Sequence, residues 1–353
     1  MAARTDLQPN NFDLLRLLAA AQVLVIHLSA FFFAHETYVV SVIRQAPGVP
    51  VFFFISGFLI SASWEANPSV GAFARNRALR LMPAYLAVTL FSLIGILAFA
   101  HLDLARDGGK LALWLGAQLT LLSDWNPAFL RHYGDGVVNG SLWTIPVEVS
   151  FYVATPILYW LMRKLRPAPV LATAIVLSFA IAYLDHKLGK RFGHVFIQFI
   201  GDTPLPWFGM FVCGIVARRN LPLLRPYIEG RALIWGVACL ALMVASVTLR
   251  IPPILMSGSR YIGIINFVVL AGFTLSAAYT APTLATRLLR RNDISYGLYL
   301  VHLPVANMLF ANGLTGIVGA LATTAIAVVL AIASWFGIEK PVLRYRVKPF
   351  YAH

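Results

Sequence analysis

The chain has 353 residues, 59% hydrophobic and 12% charged, about half the charged share of an ordinary soluble domain. Its mean hydropathy is +0.76, and apolar stretches of about 20 residues recur, the length needed to cross a hydrocarbon layer roughly 30 Å thick. The formal charge of +14 falls in short clusters between those stretches and not on one soluble face, which excludes a nucleic-acid binder and a disordered chain and leaves an all-α polytopic membrane protein.

In chain order, apolar windows bounded by charge, Pro or Gly predict helices over 12–34, 48–65, 83–101, 142–162, 168–185, 204–217, 231–249, 260–280, 294–311 and 316–336. The first runs on into 31–33 without a cleavage site and reads as a retained helix, not a signal peptide. A further apolar stretch, 111–123, has 13 residues, a length that suits an interfacial or re-entrant helix better than a crossing. The two cysteines, Cys213 and Cys239, lie inside apolar segments and read as packing residues, not a disulfide framework.

Charge counting chooses between ten crossings and eleven. With ten and a cytoplasmic N-terminus, 19 of the 28 Lys and Arg fall inside. They include Arg4 and Arg16, the Arg75, Arg77 and Arg80 cluster, and those at Arg163, Arg218, Arg287, Arg344 and Lys348. Counting 111–123 as a crossing would put the Arg163 and Arg287 clusters outside, against the positive-inside rule. The expectation is one membrane-embedded domain over 1–353, ten transmembrane helices and both termini cytoplasmic, with no appended soluble domain.

Ionisable groups inside such helices are costly, about 2.5 to 3.5 kcal/mol on insertion scales, and each needs a reason. Arg16 and His27 stand 11 residues apart, which is three helical turns plus about 20°, so they share one face about 16 Å apart along the axis. An anionic ligand head at Arg16 and a reactive end at the titratable imidazole would suit that stripe, although an Arg at a helix end also anchors topology by snorkelling. Glu148, in SLWTIPVEVSFY, lies about six residues into its helix, roughly 9 Å down, at a depth matching His27. Pro146 just before it suggests a local kink.

Before the third helix, Arg75, Arg77 and Arg80 form a basic cluster in which Arg77 and Arg80, at i and i+3, can grip phosphates or merely set topology. Ser295 and His302, seven apart in NDISYGLYLVHLP, again share a face, and Glu339 in IEKP reads as an ion-pair partner. The sequon at Asn139 is short enough to arise by chance.

These segments, taken in order, resemble the acyltransferase 3 family of bacterial integral-membrane O-acyltransferases. The resemblance rests on Asp13, Arg16 and His27 as D-x-x-R with a following His, FFFISGFLI, and Arg77, Arg80, Pro83 and Tyr85 as R-x-x-R-x-x-P-x-Y. SLWTIPVE, ISYGLYLVH and IEKP complete it. The chain departs from the family at Leu14 and Leu17, where small residues are usual, and at Val149 and Ser150, where a second Glu with Gln is common.

The resemblance implies a ten-helix enzyme of the bacterial cytoplasmic (inner) membrane. It would carry an acyl group, acetyl first, from cytoplasmic acetyl-CoA to a hydroxyl of a cell-envelope carbohydrate, with no metal. Arg16, Arg75, Arg77 and Arg80 would hold coenzyme A. His27 would act as general base, with Glu148 orienting the imidazole or the sugar, and Ser141, Trp143 and His302 would line the acceptor. An acyl-imidazole relay is the rival mechanism, and a proton-coupled transporter, which also uses intramembrane His and Glu, is the alternative of another class.

Overall fold

The computed structural model describes residues 9–120, 122, 125–192, 203–250 and 263–347. Arg4, Lys348 and the first residues of the predicted 260–280 helix lie outside them. Among the described residues the fold is all helical, without a strand. In chain order it runs α1 (Phe12–Phe32), α2 (Tyr38–Arg44), α3 (Gly48–Ala66), α4 (Val70–Phe99), α5 (Leu104–Leu119), α6 (Thr144–Lys164) and α7 (Pro167–Phe192). Then follow α8 (Phe208–Arg219), α9 (Leu221–Ile228), α10 (Ala232–Thr248), α11 (Ile264–Tyr279), α12 (Leu284–Leu289), α13 (Ser295–Ala311) and α14 (Gly316–Ser334).

Each predicted apolar segment contains a helix, but the expected ten crossings are not all carried by length. Among the described residues six stretches are long and apolar enough to cross a membrane, or seven if α9 and α10, bent by 80°, count as one. Helices α8, α11 and α13, with 12, 16 and 17 residues, fall short of the roughly 20 residues a straight crossing needs. The chain is a multi-span membrane protein.

Two boundaries differ for identifiable reasons. Helix α4 starts at Val70, not 83, because the Ser69 side chain caps it by accepting from the Ala72 N–H, and the Arg-rich run that follows has good helix propensity. The short 111–123 candidate is part of α5, which begins at Leu104 behind the Asp103 cap. Asp107, Leu111, Trp114 and Gln118 are its buried face, spaced at helical period, so the element is amphipathic as the interfacial reading requires. Pro146 falls in the first turn of α6, a position where proline is tolerated.

Contacts sort the helix ends into two groups. At one end Arg77 donates to Ser63, and Tyr159 and Arg218 both donate to Glu65, which ties α4, α6 and α8 to the end of α3. Arg16 and Arg80 meet at Asp293, and Asn76 exchanges two hydrogen bonds with Val347. The described basic clusters therefore gather at this end, together with the start of α1 and the C-terminal segment. At the other end Tyr38 bonds Thr248, Asn266 donates to the Gln45 carbonyl, and Asn307 holds the Val137 and Val138 carbonyls.

The α3–α8 contact is built on small residues. A Cβ on Gly57 would stand 1.8 Å from the Phe211 carbonyl oxygen, and one on Gly214 would stand 2.1 Å from that of Phe54. The two backbones thus touch, which is how helices associate where lipid offers no hydrophobic drive. Phe53, Phe151, Trp207 and Phe211 fill the space beside them.

Candidate active site

The basic end opens into a cavity of about 490 Å³ between α1, α3, α4, α6 and α13. Arg16, Arg77, Arg80 and Glu148 all line it. Arg75, placed with them by sequence, is exposed on the outer side of α4 and does not: Arg77 and Arg80 share an inward face, and Arg75 is two residues, about 200°, round the helix from Arg77.

The cations are not equivalent. Arg16 lies 3.8 Å from both Asp13 and Asp293. Arg80 pairs with Asp293 and, at 3.6 Å, with Glu339, so Glu339 is found as the ion-pair partner its position suggested. Burial alone would raise the Asp293 carboxyl, yet the Arg80 and Arg16 guanidiniums hold it below the usual range. Arg77 has no such partner among the described residues. It donates to Ser63 Oγ at 3.3 Å and lies over the Phe73 and Tyr152 rings. The Tyr152 hydroxyl donates to Glu148 Oε1 at 2.6 Å, which fixes that carboxylate on the cavity wall.

A second cluster lies past the inner limit of the cavity. His27 on α1 and His302 on α13 stack at 5.1 Å between ring centroids, with His27 Nδ1 2.8 Å from His302 Nε2. His302 is fully buried, and its Nδ1 lies 3.1 Å from the Leu298 carbonyl. A carbonyl only accepts, so Nδ1 carries the hydrogen and Nε2 the lone pair. His27 Nδ1 must then donate, which leaves His27 Nε2 as the basic nitrogen; the tautomers are assigned from these partners. The place beside His27 that the sequence reading offered to Glu148 is thus filled by His302.

Ser141 Oγ lies 3.5 Å from His302 Nε2, so Ser141, His302 and His27 form one group. Trp143 does not join it and packs against Trp207 and Phe53. The Asn139 side chain is buried and donates to the Leu300 carbonyl, so the sequon is not presented for modification. Neither His27 nor His302 lines the cavity, whose wall on this side is Thr144, Ile145 and Tyr299. Thr144 and Tyr299 share a 3.0 Å hydroxyl contact, and Tyr299 also donates to the Ser141 carbonyl.

Sequence reasoning missed Asp293, Tyr152, the Thr144–Tyr299 pair and Arg346, another cavity residue. An Asp two residues before an apolar helix was a usable signal. Nothing local marks Arg346, which tertiary folding alone brings to α4.

The model of the acyltransferase 3 family, described as an acyltransferase domain, matches residues 10–338. The chain belongs to the acyltransferase 3 family. Nodulation protein 10 of Rhizobium leguminosarum bv. viciae is 31% identical over 354 residues, covering 96% of this chain and 94% of that protein. The O-acetyl transferase of Shigella phage Sf6 is 32% identical over 157 residues, 41% of this chain and 44% of that protein. The peptidoglycan O-acetyltransferase OatA of Listeria monocytogenes is 23% identical over 325 residues, 84% of this chain and 49% of OatA. No solved structure matches. As a member of the acyltransferase 3 family the chain is an acyltransferase, and the transporter alternative gives way.

Proposed function

We propose that the protein is an O-acetyltransferase of a bacterial inner membrane, with ten crossings and both termini in the cytoplasm, that moves an acetyl group from cytoplasmic acetyl-CoA to a hydroxyl of a cell-envelope carbohydrate. The sugar acceptor is supported by relatives named for O-acetyl transfer, one of them to peptidoglycan. The topology is supported by the gathering of the basic clusters at one end of the bundle. Coenzyme A is supported by a cavity at that end lined with arginines.

The observation that carries the reading is the helix α1 stripe. Arg16 stands in the cavity, and His27, three turns on, has its Nδ1–H engaged by His302 and its Nε2 left basic. In the proposed step His27 Nε2 takes the proton of the acceptor hydroxyl as the oxygen attacks the thioester carbonyl. The tetrahedral adduct collapses, the C–S bond breaks, and the proton passes from the imidazolium to the departing thiolate. The thioester arm must pass the Thr144–Tyr299 pair, so rotation of these hydroxyl side chains is part of the cycle.

Purified protein in detergent, given acetyl-CoA and a crude envelope glycan, should release free thiol, and His27→Ala should stop the release. Thiol release at the wild-type rate in that variant would remove His27 from the chemistry. Rapid quench with radioactive acetyl-CoA and no acceptor separates the two routes: labelled protein that disappears in His27→Ala means an acyl-imidazole relay, and unlabelled protein means direct transfer.

A further inference from the structure

The cavity holds more cationic charge than its own acids neutralise. Of the guanidiniums on its wall, Arg16 and Arg80 are matched by Asp13, Asp293 and Glu339, and Arg291 is exposed at the rim. Arg77 and Arg346 remain. Among the described residues neither has a carboxylate within 4 Å, and the Nε of each is buried without a hydrogen-bond acceptor. Glu148 faces the same space, where it accepts from the Tyr152 hydroxyl and pairs with neither arginine within 4 Å. A buried donor left unmatched is costly, and two charged ones on one wall mark a place where an anion belongs.

Arg346 comes from the far end of the chain, and a specific device brings it there. Asn76, the neighbour of Arg77, donates from Nδ2 to the Val347 carbonyl at 3.0 Å and accepts the Val347 N–H at Oδ1 at 2.8 Å. This reciprocal pair fixes the backbone one residue after Arg346 to the residue before Arg77, 271 positions away. Burial, and after it the neighbouring Arg77 and Arg80 charges, lower the Arg346 guanidinium to about 10, which still leaves it charged at neutral pH.

We infer that Arg77 and Arg346, joined through the Asn76–Val347 clamp, form a diphosphate-binding pair, so that the C-terminal segment completes the anion site of the cavity. Each guanidinium has a buried Nε–H with no acceptor, and their forked donors match phosphate oxygens in geometry. The inference deepens the acyl-CoA reading, whose donor contains a diphosphate, and rests on it only for the identity of the natural ligand.

The test is calorimetric titration of the full chain in neutral detergent with inorganic diphosphate and, separately, with coenzyme A. Arg346→Gln and Arg77→Gln should each weaken both by roughly 10- to 100-fold, the usual scale for a charge-assisted contact. If Arg346→Gln fails to yield folded protein, Asn76→Ala, which leaves every charge in place, should weaken both in the same direction. Diphosphate affinity unchanged in the folded variants would overturn the pair, even if coenzyme A still bound. Diphosphate binding that depends on Arg346, in a protein that ignores coenzyme A, would uphold the pair and overturn the donor reading. Displacement of diphosphate by added phosphatidylglycerol would assign the pair to a lipid head group and overturn the soluble-ligand assignment.

Discussion

His302 is a buried imidazole with both nitrogens committed, and such a ring can set its neighbour's tautomer. His302→Leu removes the acceptor of the His27 Nδ1–H, so the basic lone pair can move to the wrong nitrogen. The expected loss is roughly 10- to 100-fold in kcat, with the KM for acetyl-CoA unchanged. His302→Gln offers an amide oxygen in the same place and should recover most of the rate, whereas equal losses in both variants would point to packing. His27→Ala should lose more, about 10²- to 10⁴-fold, the range of general-base catalysis, read by thiol release. The Arg16–His27 stripe was legible in the sequence because helical period alone puts the two on one face. The His27–His302 contact was not, since it joins positions 275 apart and no spacing rule reaches across helices. Glu148 was matched to His27 by depth, but depth says nothing of azimuth, and the carboxylate points to Tyr152.

At the scale of elements, hydropathy locates helices well and reads their contacts poorly. All ten apolar windows hold a helix, but mean apolarity cannot mark which face of α3 meets α8. The glycines do. An Ala at Gly57 would drive its Cβ into the Phe211 carbonyl, a backbone atom that cannot swing aside. Gly57→Ala should therefore cost about 2 kcal/mol or more and lower the melting temperature of the detergent-purified protein. Gly116→Ala is the matched comparison: it lies in α5 with nothing within 4 Å of the added methyl, and helix propensity should make it neutral or slightly stabilising. Equal melting of the two variants would mean that the α3–α8 approach is looser than its geometry indicates. IEKP was visible as a motif, but the π-helical turn over Trp335–Glu339 was not, although it is there that Glu339 turns back to Ser334 and Arg80.

For the whole molecule, the positive-inside pattern foretold which loops keep company, and it could not foretell what binds them. Asp293 does much of that. It meets Arg16 from α1 and Arg80 from α4 and accepts from Ser295 at the start of α13, so one carboxylate joins helices that lie far apart in the chain. Its pKa in the fold is below the ordinary value because the Arg80 and Arg16 attraction outweighs burial. A depressed carboxyl contributes stability that is fully present above its unfolded pKa and is lost as pH falls through the folded one. The cluster should therefore be indifferent to pH near neutrality and weaken only below the normal carboxylate range. Asp293→Asn removes the charge at every pH and strands Arg80 beside Glu339 alone, which should cost on the order of 3 kcal/mol. Thermal melts from pH 7 down to pH 3 distinguish the two: the wild type should lose its margin over Asp293→Asn as the acid range is entered. A gap between them that stays constant to pH 3 would show that the carboxylate is not what holds these helices together.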